Sequence, residues 1–463
     1  MTEFKGEASL PAWLDRHHVD VVRTLATGLD GQGVGKYVNR PKFLKTLPNG
    51  HSIADIALAM DLSGSPHLLQ WHPFRHATLG DICLKPDLDT LISDGTDPNL
   101  GHVICDYASL DGTPIPLCPR TMLKNVVRQV RDEGFEIKAT YELEFFLFAD
   151  SFTEARQKRY RNLRTFGSSD QQTIYLVRNA YHVKPFMDEV LKRLDWYGIE
   201  WEGWNDENGQ SQVELNLVPG DPIALADNTI RAKQVIYEVG VDMGLAPTFM
   251  AQPARGYANG LHIHHSLLAD GEPAFYDGSR DNHRSALLDH WIAGLVATMP
   301  AAVSYLCPTI NSFRRMRDFA APPTVASWGV ENKSAALRAM TSPPGAARLE
   351  HRLGASDMNP YLGLAVILAG GLAGWRHRLS APDELQDLGW GLPARYDRLP
   401  NTIRKAADVL QGDTLLREVM GGEEIDYWVK TRKLEWFAFH TEGGDPETQE
   451  TTPWEFSRYF EVV

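Results

Sequence analysis

Residues 141–148 read YELEFFLF, a run with the residue types of a buried strand that nevertheless carries two carboxylates, Glu142 and Glu144. Side chains two apart on a strand share a face, roughly 6.6 Å apart along the chain. The two glutamates therefore project together, while Tyr141, Leu143, Phe145 and Leu147 pack behind them. Burying an ionised carboxylate is costly unless something compensates its charge. Taken alone, the stretch is compatible with a solvated acidic face, but Phe146 and Phe148 continue that face and oppose full solvation.

Working outward, TMLKNVVRQVRDEGF (121–135) has apolar residues at helical spacing and a closing Gly134, which predicts an amphipathic helix leading into the strand. Strands are predicted near 199–203, over QVELNL (212–217) and over LHIHHSL (261–267), and helices over 180–198, 224–244, 283–306 and 360–379. Strands and long helices without strict βαβ alternation predict an α+β fold. Residues 8–107 have short apolar runs between turn signals, with one helix near 9–17. The Pro- and Gly-rich DYASLDGTPIPLCPR (106–120) reads as a junction, giving an N-terminal domain over 1–107 and a second over 108–463.

The 463 residues exceed what one hydrophobic core usually serves. A formal charge of −14 disfavours nucleic-acid and anionic-membrane partners, which need cationic surface. The four cysteines form no CxxC and read as buried thiols. LGLAVILAGGLAGW (362–375) is shorter than the ~18 apolar residues that mark a bilayer span and suits a packed core helix. The opening MTEFKGEASLPAW has no apolar h-region, so a cytoplasmic location is expected.

The chemistry collects in three later stretches. ENGQSQVEL supplies Glu207 and Glu214, and NGLHIHHSL places His262 and His264 on one strand face. Several carboxylates with one imidazole suit Mg²⁺ or Mn²⁺, ions that bridge phosphoryl oxygens. Cations follow in NSFRRMRDF (311–319), NKSAALR (332–338) and RLEHR (348–352). Arg348, Glu350 and Arg352 alternate, so on a strand they form either an ion-pair ladder or a metal-binding carboxylate flanked by phosphate-gripping guanidiniums. No Walker or GxGxxG loop is present.

In order, YELEFFLF, ENGQSQVE, NGLHIHHSL, NSFRR, PTVASWGVENKSAALR and ARLEHRLGASDMNPYLGLAVILAGGL resemble the glutamine synthetase superfamily, and RLEHRLGASDMNPYL resembles its γ-glutamylpolyamine and γ-glutamylalkylamine synthetase branch. The resemblance implies an N-terminal β-grasp domain and a catalytic domain with a curved antiparallel sheet flanked by helices. It implies two to three divalent ions, with Glu144, Glu207 and Glu214 around one and Glu142, His262 and Glu350 around another. Glu202, His264, Ser266, Lys333, Arg338 and Arg348 fall where the family holds ATP, and Arg315 and Arg352 where it binds glutamate and the transferring phosphoryl group, with Arg338 also on the catalytic side.

The implied reaction joins the γ-carboxylate of glutamate to an amine through γ-glutamyl phosphate, in a homododecamer with active sites between subunits. The family's flap glutamate falls at Ala321, Asp61 is only a loose counterpart of the ammonium-binding aspartate, and the glutamate loop reads YANG (257–260). These departures imply an organic amine, alkylamine, polyamine or arylamine, with Trp71, Phe74, Tyr257 and Phe319 as candidate pocket aromatics. An ammonia-dependent synthetase and a non-catalytic sensing protein are the alternatives.

Overall fold

The computed structural model describes residues 9–65, 80–166, 174–254, 256–389, 396–445, 448 and 450–463. The first part contains α1 (Leu10–Arg16), β1 (Val21–Thr27), β2 (Gly33–Asn39), α2 (Arg40–Thr46), β3 (His51–Ala54), β4 (Asp81–Ser93) and β5 (Leu100–Ala108). Its strands form a sheet in the order β2-β1-β5-β4-β3, with β1 and β5 parallel. The helix expected near 9–17 is α1. α2 is too short to show an apolar period; Asn39 starts it by accepting the Lys42 N–H, with a proline in its first turn.

The chain continues through α3 (Pro119–Asp132), β6 (Glu136–Phe148), α4 (Phe152–Gln157), α5 (Val177–Trp196), β7 (Trp201–Asp206), β8 (Gln212–Leu217), α6 (Pro222–Met243) and β9 (Ala246–Thr248). Then come β10 (Leu261–Ala269), β11 (Glu272–Pro273), α7 (Ala286–Leu306), α8 (Ile310–Arg314), β12 (Trp328–Val330), β13 (Leu337–Met340), β14 (Arg348–His351) and α9 (Pro360–Arg376). Four helices close the chain: α10 (Ile403–Gly412), α11 (Thr414–Met420), α12 (Gly422–Thr441) and α13 (Pro453–Tyr459).

The second sheet runs β12-β13-β14-β10-β6-β8-β7, with β9 against the end of β6 and β11 on β10. All its pairings are antiparallel except β12 with β13. The fold is α+β, a largely antiparallel sheet flanked by helices.

One face of this sheet packs on helices. Leu143, Phe145 and Leu147 of β6 are fully buried, and the Tyr141 hydroxyl donates to Pro360 O at the start of α9. α9 is buried along nearly its whole length. It crosses α7 so closely that a Cβ on Gly294 would lie 2.2 Å from Gly370 O and 2.6 Å from the Gly374 Cα. Among the described residues α7 is long and apolar enough to cross a bilayer, but its most apolar window is 72% buried inside the fold.

Arg120 of α3 ties the two parts together. Its guanidinium donates twice to Asp227 of α6, at 2.8 and 2.9 Å, and reaches Asp87 of β4 and Asp106 of β5.

Because Gly294 meets backbone rather than a flexible side chain, Gly294→Val should cost about 3 kcal/mol or more. Thermal unfolding by circular dichroism checks this, and an unchanged melting temperature would contradict the crossing.

Candidate active site

Strand register assembles the site. Cross-strand partners share a face, and β10 pairs with β6 so that His262 lies opposite Glu142. On the other side of β6, Glu144 lies opposite Glu214 of β8. β14 then sets Glu350 against His264, and β13 sets Arg338 against Glu350. Five strands thus bring their charges to one face, opposite the apolar layer.

The carboxylates are compensated unequally. His262 Nδ1 and His264 Nε2 each lie 3.0 Å from the Glu142 carboxylate. Burial works against ionising Glu142, but these hydrogen bonds outweigh it and hold the carboxyl below the usual range. Arg348 Nε donates to His264 Nδ1 at 3.3 Å, so His264 carries its proton on Nε2 and donates to Glu142. Glu144 Oε2 accepts from the Gly260 N–H at 2.6 Å and from Gln212 Nε2 at 2.9 Å.

Glu350 is 1% exposed; Arg338 donates to it at 3.1 Å and Arg352 through a short contact. Burial opposes its ionisation, and the Arg352 charge reverses that to keep the carboxyl low. Glu207 accepts from the Asn205 side-chain amide at 3.3 Å and from the Asn208 backbone, and Glu214 from the Asn216 amide at 3.2 Å, with no cationic donor among the described residues. Burial, with the charge of Glu144, pushes Glu207 up to about 7. Burial, with the charges of Glu142 and Glu144, pushes Glu214 up to about 8.

The donor set fits a hard divalent cation. Ligand-capable atoms of Glu142, Glu214 and His262 lie within 4.8 Å of one another, as do those of Glu142, His264 and Glu350. A Cβ on Gly260 would lie 2.8 Å from His262 Nε2 and 3.0 Å from Glu144 Oε1. Glycine at that position therefore leaves both atoms facing open space. The grouping differs from the one the resemblance implies: Glu142 is common to both close sets, and His264 stands beside it.

Two cavities adjoin this cluster. One, of about 710 Å³, is lined by Glu142, Glu202, His264, Ser266 and Arg348, five residues the sequence places around a nucleotide or its metal. Lys333 and Arg338 do not line it: Lys333 is exposed in the β12–β13 connection, and Arg338 pairs with Glu331 and Glu350. The other cavity, of about 350 Å³, is lined by Glu144, Glu207, His262, Arg315, Arg352 and the 317–322 loop. Arg315 Nε and Arg352 Nε are buried there without a hydrogen-bond partner among the described residues. Ala321, Phe319 and Tyr257 line this second cavity, while Trp71 and Phe74 lie outside the described residues. Asp61 is tied within its own chain to Arg458 at 2.6 Å and to Ser63.

Three residues at the site escape a reading of isolated motifs. Gln212 is two residues from Glu214 on β8, and that spacing was the available signal. Tyr175 adopts φ +59°, and partial burial plus the charges of Glu207 and Glu214 raise its hydroxyl pKa, which puts it beside the cluster. Gln252 lines the second cavity, and nothing in FMAQPARG marks it.

A face of carboxylates and imidazoles between a nucleotide-sized cavity and an arginine-lined one defines an enzyme of phosphoryl and carboxylate chemistry. Residues 116–459 match the family model for the glutamine synthetase catalytic domain, and the chain belongs to that family. It is 29% identical over 458 residues to a glutamate–isopropylamine ligase of Pseudomonas sp, covering 97% of each chain. It is 30% identical over 380 residues to a γ-glutamylanilide synthase of Acinetobacter sp, covering 78% of this chain and 75% of that one. A solved structure of apo GmaS superposes with a TM-score of 0.82 at 24% identity, covering 97% of this chain and 99% of that one, which speaks for the fold.

Cation binding should depend on pH. Glu207 and Glu214 hold protons up to about 7 and 8 when no cation is present, and an ion must displace them. Mn²⁺ affinity should therefore rise by roughly tenfold or more from pH 6 to 8.5, with proton release. Calorimetry in buffers of different ionisation enthalpy measures both, and a flat profile would contradict the assignment.

Proposed function

We propose that this chain is an ATP-dependent glutamate–amine ligase that makes γ-glutamylamides from organic amines. The observation that carries the reading is the pair of cavities meeting at the hydrogen-bonded Glu142 and His262, one lined for a nucleotide and the other by two arginines with unpartnered Nε atoms.

In the first step a γ-carboxylate oxygen of glutamate forms a bond to the γ-phosphorus of ATP, and the bond to ADP breaks. In the second, the amine nitrogen bonds to the γ-carbonyl carbon, the bond to phosphate breaks, and the nitrogen gives up a proton. Arg348, His264, Ser266 and Glu202 hold the nucleotide, with Lys333 and Arg338 at the phosphate end. Arg315 and Arg352 hold glutamate and neutralise the phosphoryl group in transit. Glu142, Glu144, Glu207, Glu214, His262 and Glu350 would hold two to three Mg²⁺ or Mn²⁺ ions. Such ions supply charge to the phosphate oxygens and let the carboxylates stay ionised together.

The amine preference follows from the 317–322 loop. Its one carboxylate, Asp318, is committed to Arg398 at 2.8 Å and to Thr324 at 2.8 Å. Arg317 precedes it, and after it the loop offers Phe319, Ala320, Ala321 and Pro322 to the second cavity. A small cation such as ammonium gains nothing from that surface, whereas an alkyl or aryl group packs against it. The reading includes a homododecamer with active sites between subunits, and a cytoplasmic location.

A panel of ammonia, methylamine, ethanolamine, putrescine, isopropylamine and aniline, assayed for ADP release with ATP, Mg²⁺ and glutamate, tests the reading. An organic amine should give the highest kcat/KM; if ammonia does, the argument from Ala321 falls. Glu214→Ala should lower amide formation roughly 100-fold or more while leaving the assembly folded. Near-normal activity in that variant, with assembly checked by size-exclusion chromatography, would remove Glu214 from the proposed ligands.

A further inference from the structure

Gln252 is 1% exposed, lines the arginine-bearing cavity, and its side-chain Nε2 has no hydrogen-bond partner among the described residues. Leaving a buried amide donor unpaired is costly, so such a group in a cavity wall calls for a ligand acceptor. Its backbone is unusually well fixed. Gln252 N donates to Asn311 Oδ1 at 2.6 Å, and Gln252 O accepts from Asn311 Nδ2 at 3.3 Å and from Thr451 Oγ1 at 2.7 Å. Asn311 is in turn held by Glu455 of α13 at 3.1 Å. Both sides of the peptide are clamped while the side-chain donor is left over.

The separation of the two cavities on either side of the cluster says which ligand group reaches it. Residues 138–142 line the nucleotide cavity, Glu142 and Glu144 hold the cluster, and Phe146 to Phe148 pair with β9. From Thr248, opposite Phe146, the antiparallel chain turns back toward Glu144, and Gln252 enters the wall of the cavity that holds Glu144, His262, Arg315 and Arg352, none of which lines the nucleotide cavity. A substrate whose reacting carboxylate sits at the cluster therefore extends its other end toward Gln252. We propose that Gln252 donates an amide hydrogen bond to the α-carboxylate of the amino-acid substrate and helps select an amino acid over a plain carboxylic acid or amine. This rests on the ligase reading above.

The test pairs residue with substrate group. Glutamate and 4-aminobutyrate, which lacks the α-carboxylate, are compared as substrates for the wild type, Gln252→Leu and Gln252→Glu, with ATP and amine saturating. Gln252→Leu should raise the KM for glutamate roughly tenfold or more, as expected for a lost hydrogen bond to a charged group. It should shrink the glutamate-to-4-aminobutyrate ratio of kcat/KM by a similar factor, with the KM values for ATP and amine within twofold. Gln252→Glu, nearly isosteric but anionic, should be worse for glutamate than Gln252→Leu. Because the ratio is internal to each variant, it stays readable if a substitution lowers the amount of folded enzyme.

An unchanged ratio in Gln252→Leu, or an effect confined to the amine KM, overturns the proposal. Absence of glutamate-dependent ADP release in the wild type would instead overturn the ligase reading. Calorimetric glutamate binding to wild type and Gln252→Leu then decides the contact separately: loss of affinity in the variant supports it, and equal affinity overturns it.

Discussion

The antiparallel register between β6 and β10 is the constraint on which the site depends. A slip of one residue would turn Glu142 and Glu144 into the apolar layer and expose Tyr141, Leu143 and Phe145. Those three are fully buried, and the Tyr141 hydroxyl is anchored on the first turn of α9. The hydrophobic layer is thus what holds the acidic face in place. Neighbouring pairs, His264 with Glu350 and Glu144 with Glu214, follow from the same alignment, because each added strand shares a partner with the last.

On that face the carboxylates form a gradient of compensation rather than a uniform acidic patch. Glu142 has two imidazoles, Glu350 two guanidiniums, and Glu144 a backbone N–H and an amide. Glu207 and Glu214 have neutral amide donors and no cation among the described residues, and they are the two driven toward the protonated form. Positive charge is therefore deficient on the side of the cluster nearest β8, between the two cavities. The same asymmetry makes that side responsive to a divalent ion, while Glu350 stays charge-balanced without one.

How much of this was legible in the sequence depended on the range of the interactions. The strand YELEFFLF, the α+β class and the long helices follow from local periodicity, and helix bounds were off by only a few residues at the ends. The motif glutamates and histidines converge as their order suggested, because each sits on a strand whose period fixes its face. What local pattern could not give was the grouping. Whether Glu142 pairs with His262 or His264, or both, depends on register between strands about 120 residues apart in sequence. The polar tail DPETQETTPWEF has no local signal for chemistry, yet Thr452 and Glu455 form a capping box that starts α13, and Glu455 and Thr451 reach Asn311 and Gln252. Tyr175 and Gln252 were invisible for the same reason: their roles come from cavity position, not from spacing.

Two parts of the second cavity's wall are built differently, and on the ligase reading this bears on how donors are chosen. The arginine part is braced by the core: Arg315 is 3% exposed and donates to Leu353 O at 2.6 Å, and Gln252 is clamped through Asn311 to α13. The other part is the 317–322 loop, where Phe319 is 81% exposed with φ +63° and is followed by two alanines. A braced wall suits the invariant co-substrate, and a loop made of small and aromatic side chains suits a variable one. Relatives named for isopropylamine and for anilide match this chain at 29% and 30% identity, so overall similarity does not discriminate between donors. On the ligase reading proposed above, the discrimination comes from a few side chains that touch the amine, and the 317–322 loop that lines the second cavity supplies candidates for them. An acidic side chain there would stabilise a small cation at the mouth; Ala320 and Ala321 instead leave apolar surface that only an amine with a carbon substituent can cover.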